Sequence, residues 1–348
     1  MSKKKRKRKL NKKAFILLFF IIVLVVGIYI FATKDGNVAE KIKSKKPKVE
    51  EKKLKIVDLD SDSRPYAVMI NNINVARPLQ SGLQDAYIIY EIIVEGGITR
   101  YMALFLDQNT ERIGSVRSSR HYFLDYAMEN DAIYVHHGQS PQAQSDFSKF
   151  NIDRIVVDNS STGWRDTSLN VSSEHTLFTS IEKLNTKLNS FRTKRQGDLL
   201  LDYSIDSVNL SEMEGAIVAN SVSIKYSNYI TSSYTYDSVN KVYKRFINDS
   251  EHKDYVTGQQ YTFKNIITYK VKNYTLNDGE GKGRQDINNV GSGDGYYISE
   301  GYAVPIKWSK ASRSSQTKYT YLDGTEIKVN DGNTFIQIQP EEQTLTIN

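Results

Sequence analysis

AYIIYEIIVEGGITRYMALFLD, residues 86–107, carries the reading of the fold. Two runs rich in β-branched and aromatic residues, 86–94 and 98–107, flank Glu95-Gly96-Gly97. Such runs read as strands, and the Gly-Gly pair turns the chain between them. On the N-terminal side RPYAVMINNI (64–73) reads as a further strand. On the C-terminal side RSSRHYFLDYAMEN (117–130) has apolar residues at 123, 124, 127 and 128, the stripe of a helix. AIYVHHG (132–138) reads as a strand. Ser140-Pro141 reads as an N-cap with proline at the first helical position, opening a helix to about Phe150. DRIVVDN (153–159) adds a strand and SIEKLNTKLNSF (180–191) an amphipathic helix. This alternation of strands and helices predicts an α/β domain over residues 62–205.

Beyond 205 the helical stripes vanish. Short alternating runs such as VSIKYS, SYTYDSVNKVYKRFI and IITYKVKNYTL predict a mainly antiparallel β domain over 206–348. Residues 317–340 predict three strands in a meander, turning at Asp323-Gly324 and Asp331-Gly332. GSGDGY (291–296) lacks the Lys-Ser/Thr ending of a phosphate-binding loop and reads as a turn cluster. The expected class is α+β or α/β, with the two domains separately stable and divided near residues 195–212.

Residues 14–33, AFILLFFIIVLVVGIYIFAT, contain no charge, and at about 1.5 Å per residue they match the roughly 30 Å of a hydrocarbon core. Residues 1–13 carry nine Lys/Arg and no acid, which predicts a cytoplasmic basic tail, one transmembrane helix, and everything after Lys34 outside the cell. Residues 34–61 read as a charged, solvated linker. The formal net charge of +7 is therefore a property of one end, because residues 58–348 hold 29 basic and 36 acidic residues. A mildly acidic body argues against a nucleic-acid partner. The chain has no cysteine, which excludes disulfides, thiolate metal sites, cysteine nucleophiles and cysteine lipidation. No cofactor is expected.

RPYAVMINN, RPLQSGLQDAYIIYEIIVEGGITRYMALF, IGSVRSSRHYFLDYA and YVHHGQSPQA resemble the YerB family of Gram-positive cell-envelope proteins. GSGDGYYISEGYAVPIKWSK and DGNTFIQI resemble its C-terminal domain, so the resemblance covers roughly residues 62–345. It implies two extracytoplasmic domains facing the wall. Family members are often lipoproteins with an N-terminal cysteine; here the helix at 14–33 would take over that anchoring role. The partners this location implies are peptidoglycan or its precursors, and proteins of cell-wall synthesis or division.

Glu91 and Glu95 are the candidate catalytic residues. Four positions apart on a strand they would face one side, and apolar surroundings would suit a carboxyl to general-acid work. Their separation of about 13 Å along a strand exceeds that of a glycosidase pair, so one acting acid, as in a lytic transglycosylase, is the simpler enzyme reading. The competing reading pairs Glu91 with an arginine and makes Glu95 the start of a turn. Arg117 and Arg120 bracket Ser118-Ser119 where the helix is expected to begin; with Arg100 they would hold either a substrate carboxylate or one of these glutamates. His136, His137 and Ser140 lie where a strand hands over to a helix, the usual ligand end of an α/β unit. Adjacent histidines on a strand point to opposite faces, so a metal would need His175 and an acid as well, and none is expected. Trp308 and the tyrosines of the second half are candidates for stacking on sugars. A non-catalytic wall-binding or scaffold protein is the alternative function.

The charge asymmetry makes a direct prediction. Protease added to intact wall-less cells should degrade residues 58–348 and spare the tail at 1–13; protection of the large fragment would reverse the orientation.

Overall fold

The computed structural model describes residues 12–34 and 53–348. Two compact units divide at Lys52/Lys53. In the first, a helix runs from Lys12 to Lys34. Its described side chains, from Ile16 to Tyr29, are apolar and exposed. No helix stretch among the fully described residues is long and apolar enough to cross a membrane. The basic tail at 1–11 and the linker at 35–52 lie outside the described residues.

The second unit, Lys53–Asn348, is built on an eleven-stranded sheet. Strands Ile88–Ile93 and Thr99–Phe105 form the antiparallel hairpin read from the sequence, with Glu91 opposite Tyr101. Tyr66–Asn71 pairs antiparallel to Thr99–Phe105, and Ile133–His136 and Arg154–Val156 continue the sheet in parallel. On its other side Ile88–Ile93 pairs in parallel with Thr334–Pro340, which pairs in parallel with Asn265–Val271. The central sheet therefore crosses the textural change at 205/206, and the strands of the two halves meet at one junction in its middle, Ile88–Ile93 beside Thr334–Pro340. The mixed sheet of the first half is thus joined to a β-rich second half, whose remaining strands include a six-stranded antiparallel sheet containing Ser221–Lys225, Thr231–Asp237 and Val242–Ile247.

Alternation along the strands assigns the two faces of the large sheet. Ile88, Tyr90, Ile92, Met102, Leu104, Ile336 and Ile338 pack with helix His121–Glu129, through Tyr122, Phe123 and Tyr126, and with Phe147 of helix Pro141–Lys149. Ile89, Ile93, Tyr101, Ala103, Phe105 and Phe335 pack against Tyr234, Tyr243 and Phe263 of the antiparallel sheet. The unit thus has three layers: helices, mixed sheet, antiparallel sheet.

Several local expectations change. The three strands read from 317–340 exist, but they join three different partners rather than forming a meander: Lys318–Thr320 pairs with Tyr302–Lys310, Lys328–Asn330 with Asp202–Ser204, and Thr334–Pro340 enters the sheet centre. Burial explains the last of these, because all seven residues of Thr334–Pro340 are buried, which requires neighbours on both edges. GSGDGY begins the strand Gly291–Ser299, not a turn cluster. Its glycines allow close approach: a Cβ on Gly295 would meet the Thr268 carbonyl at 2.5 Å, and one on Gly293 the Trp308 ring nitrogen at 2.8 Å. Trp308 is itself buried against Tyr269, at 4.9 Å between centroids, so it is no sugar platform. The helix read at 180–191 shortens to Ile181–Asn185, capped by Ser180. Residues 53–61, read as linker, are partly packed on the body: Val57 is buried, and the Lys55 and Ile56 amides donate to Asp331 at 3.0 Å.

Because the two halves of the sheet join through the buried pairing of Ile88–Ile93 with Thr334–Pro340, each half alone would leave a buried strand edge unpaired. Calorimetry should show one unfolding transition for the body, and residues 53–205 and 206–348 expressed apart should each lack a cooperative transition. Two separate melts would mean that the Ile88–Ile93/Thr334–Pro340 pairing contributes little.

Candidate functional site

Glu91 is fully buried on the face of the hairpin that meets the antiparallel sheet. One carboxylate oxygen accepts from the Thr99 hydroxyl at 2.7 Å. The other accepts from Arg245 Nη2 at 2.7 Å, Ser232 Oγ at 2.8 Å and Gln337 Nε2 at 3.1 Å. Arg245 is equally buried, and it donates further to the Tyr234 hydroxyl at 3.2 Å and His252 Nδ1 at 2.6 Å. A guanidinium can only donate, so Nδ1 of His252 is the bare nitrogen and Nε2 carries the hydrogen given to Gln80 Oε1. Burial, then the charges of Arg245 and Arg77, push the His252 imidazole far below its ordinary range and keep it neutral. Gln80 and Asn72 extend the network to the Asn71 carbonyl and Thr99. Glu91 is thus satisfied by four partners and has no route to a ligand.

Glu95 lies elsewhere. The strand stops at Ile93, and Glu95 opens a single turn, Glu95–Gly97, with Gly96 and Gly97 at positive φ. That turn ends the i, i+4 alignment with Glu91. Glu95 meets Arg120 Nε at 2.5 Å and Arg100 Nη2 at 3.8 Å. Arg100 projects from the opposite face to Glu91, with Met102 and Leu104. Burial alone would raise the Glu95 carboxyl, but the Arg120 hydrogen bond and the charges of Arg120 and Arg100 outweigh it and hold it below the usual range. Burial, then the neighbouring Arg120, pushes Arg100 down to about 9, so it still carries its charge at neutral pH.

The residues around Ser118 form a bridge rather than the first turn of a helix. The Arg117 amide donates to Met69, Ser119 to the Gly138 carbonyl at 2.9 Å, and His137 to the Arg117 carbonyl at 3.1 Å. With the Arg117, Ser118 and Ser119 carbonyls accepting from the His137 amide, Arg100 and the Ser140 amide, the helix starts only at His121, with Arg120 as an N-cap that makes no side-chain cap bond. The Ser118 carbonyl accepts from Arg100 Nη1 at 2.7 Å. Tyr134 donates to Ser119 Oγ at 2.9 Å. Ser140 caps Pro141–Lys149 by accepting from the Ala143 amide at 3.2 Å, as its position before proline predicts. Segments 117–120 and 136–140 therefore run side by side and bring Arg117, Arg120, His136, His137 and Ser140 into one corner of the fold, with Glu95 and Arg100 tied to it.

Within this corner His136 is buried and stacked on Phe147 at 4.9 Å. Its Nδ1 donates to the Gly138 carbonyl at 2.9 Å, while Nε2 faces Arg154 at 3.4 Å. Burial pushes it down to about 4, so it is neutral and structural. His137 is half-buried, with Nδ1 at 2.7 Å from the Val157 carbonyl and Nε2 at 3.3 Å from Arg165. Arg117 pairs with the exposed Glu174 at 2.7 Å. His175, next in sequence, meets Asn71 at 3.0 Å rather than His136 or His137. Among the described residues no three His, Asp or Glu side chains converge in metal-binding geometry. Sequence reading missed Arg245, Arg165 and Arg154. Arg245 lies 154 positions from Glu91 in an alternating strand, where nothing local marks it as buried.

With this geometry in place, the likeness to known proteins has structural content. Residues 54–194 match the family described as "Protein of unknown function (DUF3048) N-terminal domain", and residues 222–336 match its C-terminal domain. A protein of Bacillus subtilis (strain 168) named "Putative lipoprotein YerB" is 30% identical over 294 residues, covering 82% of this chain and 84% of that protein. The crystal structure of YerB protein from Bacillus subtilis superposes with a TM-score of 0.71 at 26% identity, covering 84% of this chain and 99% of that one. The chain belongs to the DUF3048 family and shares its two-part organisation with YerB.

The two glutamates should respond differently to amide substitution. Glu91→Gln leaves Arg245 buried without its counter-charge and should cost about 3–5 kcal/mol of stability. Glu95→Gln, at a partly exposed pair, should cost about 1 kcal/mol or less. Urea unfolding of both variants measures this; an unchanged midpoint for Glu91→Gln would remove the ion pair from the structural account.

Proposed function

We propose that this chain is a membrane-anchored, extracytoplasmic cell-envelope protein that binds anionic groups of peptidoglycan without cutting the glycan strand. The charge balance of the corner at 117–140 carries this reading. Arg154 and Arg165 form no ion pair with a carboxylate among the described residues, and Arg117 meets only the exposed Glu174. A surface with more guanidinium groups than carboxylates has affinity left for an external acid, and arginine's planar fork suits carboxylate and phosphate alike. Muropeptide carboxylates are the acids the setting offers. Scaffolding of wall-synthesis or division proteins is compatible with such binding.

Cleavage by a lytic transglycosylase is the second reading, and Glu95 is its one specific support. A general acid must hold a proton. Glu91 is sealed in an ion pair, and Glu95 is held ionised by Arg120, so Glu95 would have to shed both arginines before it could donate.

The location rests on three supports. One is the helix Lys12–Lys34, which carries the uncharged run 14–33. The nine basic residues ahead of it support a single pass with the body outside. The lipoprotein named among its relatives supports a membrane-attached family, and in a chain with no cysteine a spanning helix is the anchor that fits.

Incubating the purified protein with peptidoglycan separates the readings. Co-sedimentation that weakens several-fold in Arg165→Gln, with no anhydro-muropeptides in the supernatant, is the result expected. Release of anhydro-muropeptides that is lost in Glu95→Gln would establish cleavage instead.

A further inference from the structure

On another part of the body, a cavity of about 480 Å³ lies between the segment after strand Tyr66–Asn71 and residues 250–255 of the second half. Its walls include Asn74, Arg77, His252, Lys253, Asp254 and Tyr255. Glu91, Glu95 and the arginines of the 117–140 corner take no part in it.

Most charges around this cavity are already matched. Lys253 pairs with Glu251 at 2.6 Å. Asp254 is consumed by the Gly82 amide at 2.7 Å, the Tyr261 hydroxyl at 2.8 Å and the amides of Val256 and Thr257 at 2.9 Å. His252 is held neutral between Arg245 and Gln80. Arg77 is the exception. It is half-buried and donates only to neutral oxygens: Nε to Asn72 Oδ1 at 3.2 Å, Nη2 to the Asn72 carbonyl at 3.3 Å, and Nη1 to Asn74 Oδ1 at a marginal 3.5 Å. No carboxylate lies within ion-pair distance of it among the described residues. A guanidinium has five N–H donors, so part of its fork remains free toward the cavity. Burial is the main cause that lowers its basicity, and an incoming anion would offset it.

We propose that this cavity is a binding site for a small organic monocarboxylate, with Arg77 taking the carboxylate and Tyr255 offering a face to the ligand body. One unmatched positive charge suits a monoanion and leaves a phosphate dianion uncompensated. The volume is that of a site for a sugar acid or a short peptide. Tyr255 is 46% exposed, its backbone is tied down by an amide hydrogen bond to the Gln80 carbonyl at 2.8 Å, and its ring centroid lies 5.3 Å from the Arg112 guanidinium. Asn72 and Gln80 are positioning residues: Asn72 holds the Arg77 fork, and Gln80 joins the cavity wall to the Glu91–Arg245 pair through His252.

Calorimetric titration of the full chain in detergent tests this with three probes. They are N-acetylmuramic acid, an N-acetylated dipeptide with a free C-terminal carboxylate, and neutral N-acetylglucosamine. Saturable binding of at least one acid at millimolar concentration or below, with none of the neutral sugar, is expected, and the acid that binds identifies the source. Arg77→Gln should weaken that binding at least ten-fold and Tyr255→Ala several-fold. The titrations are made in an Arg165→Gln background, which weakens any binding of these acids at the other corner, so that the dependence on Arg77 and Tyr255 reports this cavity. If Arg77→Gln unfolds, Arg77→Lys, which keeps the charge and loses the fork, should still show a several-fold loss. Equal binding of the neutral sugar, no binding of either acid, or full affinity in Tyr255→Ala together with Arg77→Lys would each overturn the proposal.

Discussion

The Glu91–Arg245 ion pair is the constraint around which the body is arranged. Two opposite charges sit at zero exposure between the central sheet and the antiparallel sheet. Removing them from water costs several kcal/mol for each ion, and their attraction repays this only with good geometry and further hydrogen bonds. Those bonds come from places far apart in the chain: Thr99 in the hairpin, Ser232 and Tyr234 in the second sheet, and Gln337 in the strand beside Glu91. These donors and acceptors make the pair tolerable, so the pair fixes how the two sheets and the strand Thr334–Pro340 register with one another.

That register explains the polar residues of an otherwise apolar strand. In TFIQIQP, Ile336 and Ile338 face the helices, while Phe335 and Gln337 face the second sheet. Gln337 divides its amide between Glu91 and the Tyr234 and Tyr226 hydroxyls. A one-residue slip would put both glutamines into the apolar helical face and leave Glu91 opposite an isoleucine. The buried polar layer therefore opposes misregistration more than it adds net stability, a role attested for polar groups at other buried positions.

The same geometry accounts for what the sequence could and could not convey. The hairpin, the strands at 66–71 and 133–136 and the Ser140 cap are local features, and local periodicity and capping chemistry found them. The insertion of Thr334–Pro340 beside Ile88–Ile93 joins segments about 246 residues apart, and no periodicity encodes a parallel neighbour. The late start of the helix at His121 has a similar cause: the Arg117 and Ser119 carbonyls that would have accepted its first bonds are taken by the His137 and Ser140 amides, which are close only in space. Of the candidate residues, Arg117, Arg120, His136, His137 and Ser140 do gather, because they flank one strand end. Glu91 does not join them, because the turn at Glu95–Gly97 breaks the strand alternation that would have put both glutamates on one side.

Separation by the sheet has a chemical consequence. On one face, arginine and glutamate neutralise each other inside a closed shell, and His252 stays uncharged because it is buried beside Arg245. At the strand end, His136 is kept neutral by burial beside Arg154, so it adds no charge of its own there. The positive character of that corner then rests on arginines alone, which do not titrate near neutrality. An imidazole-based anion site would lose its charge above the ordinary histidine range. A corner built from Arg117, Arg154 and Arg165 holds its charge across that range.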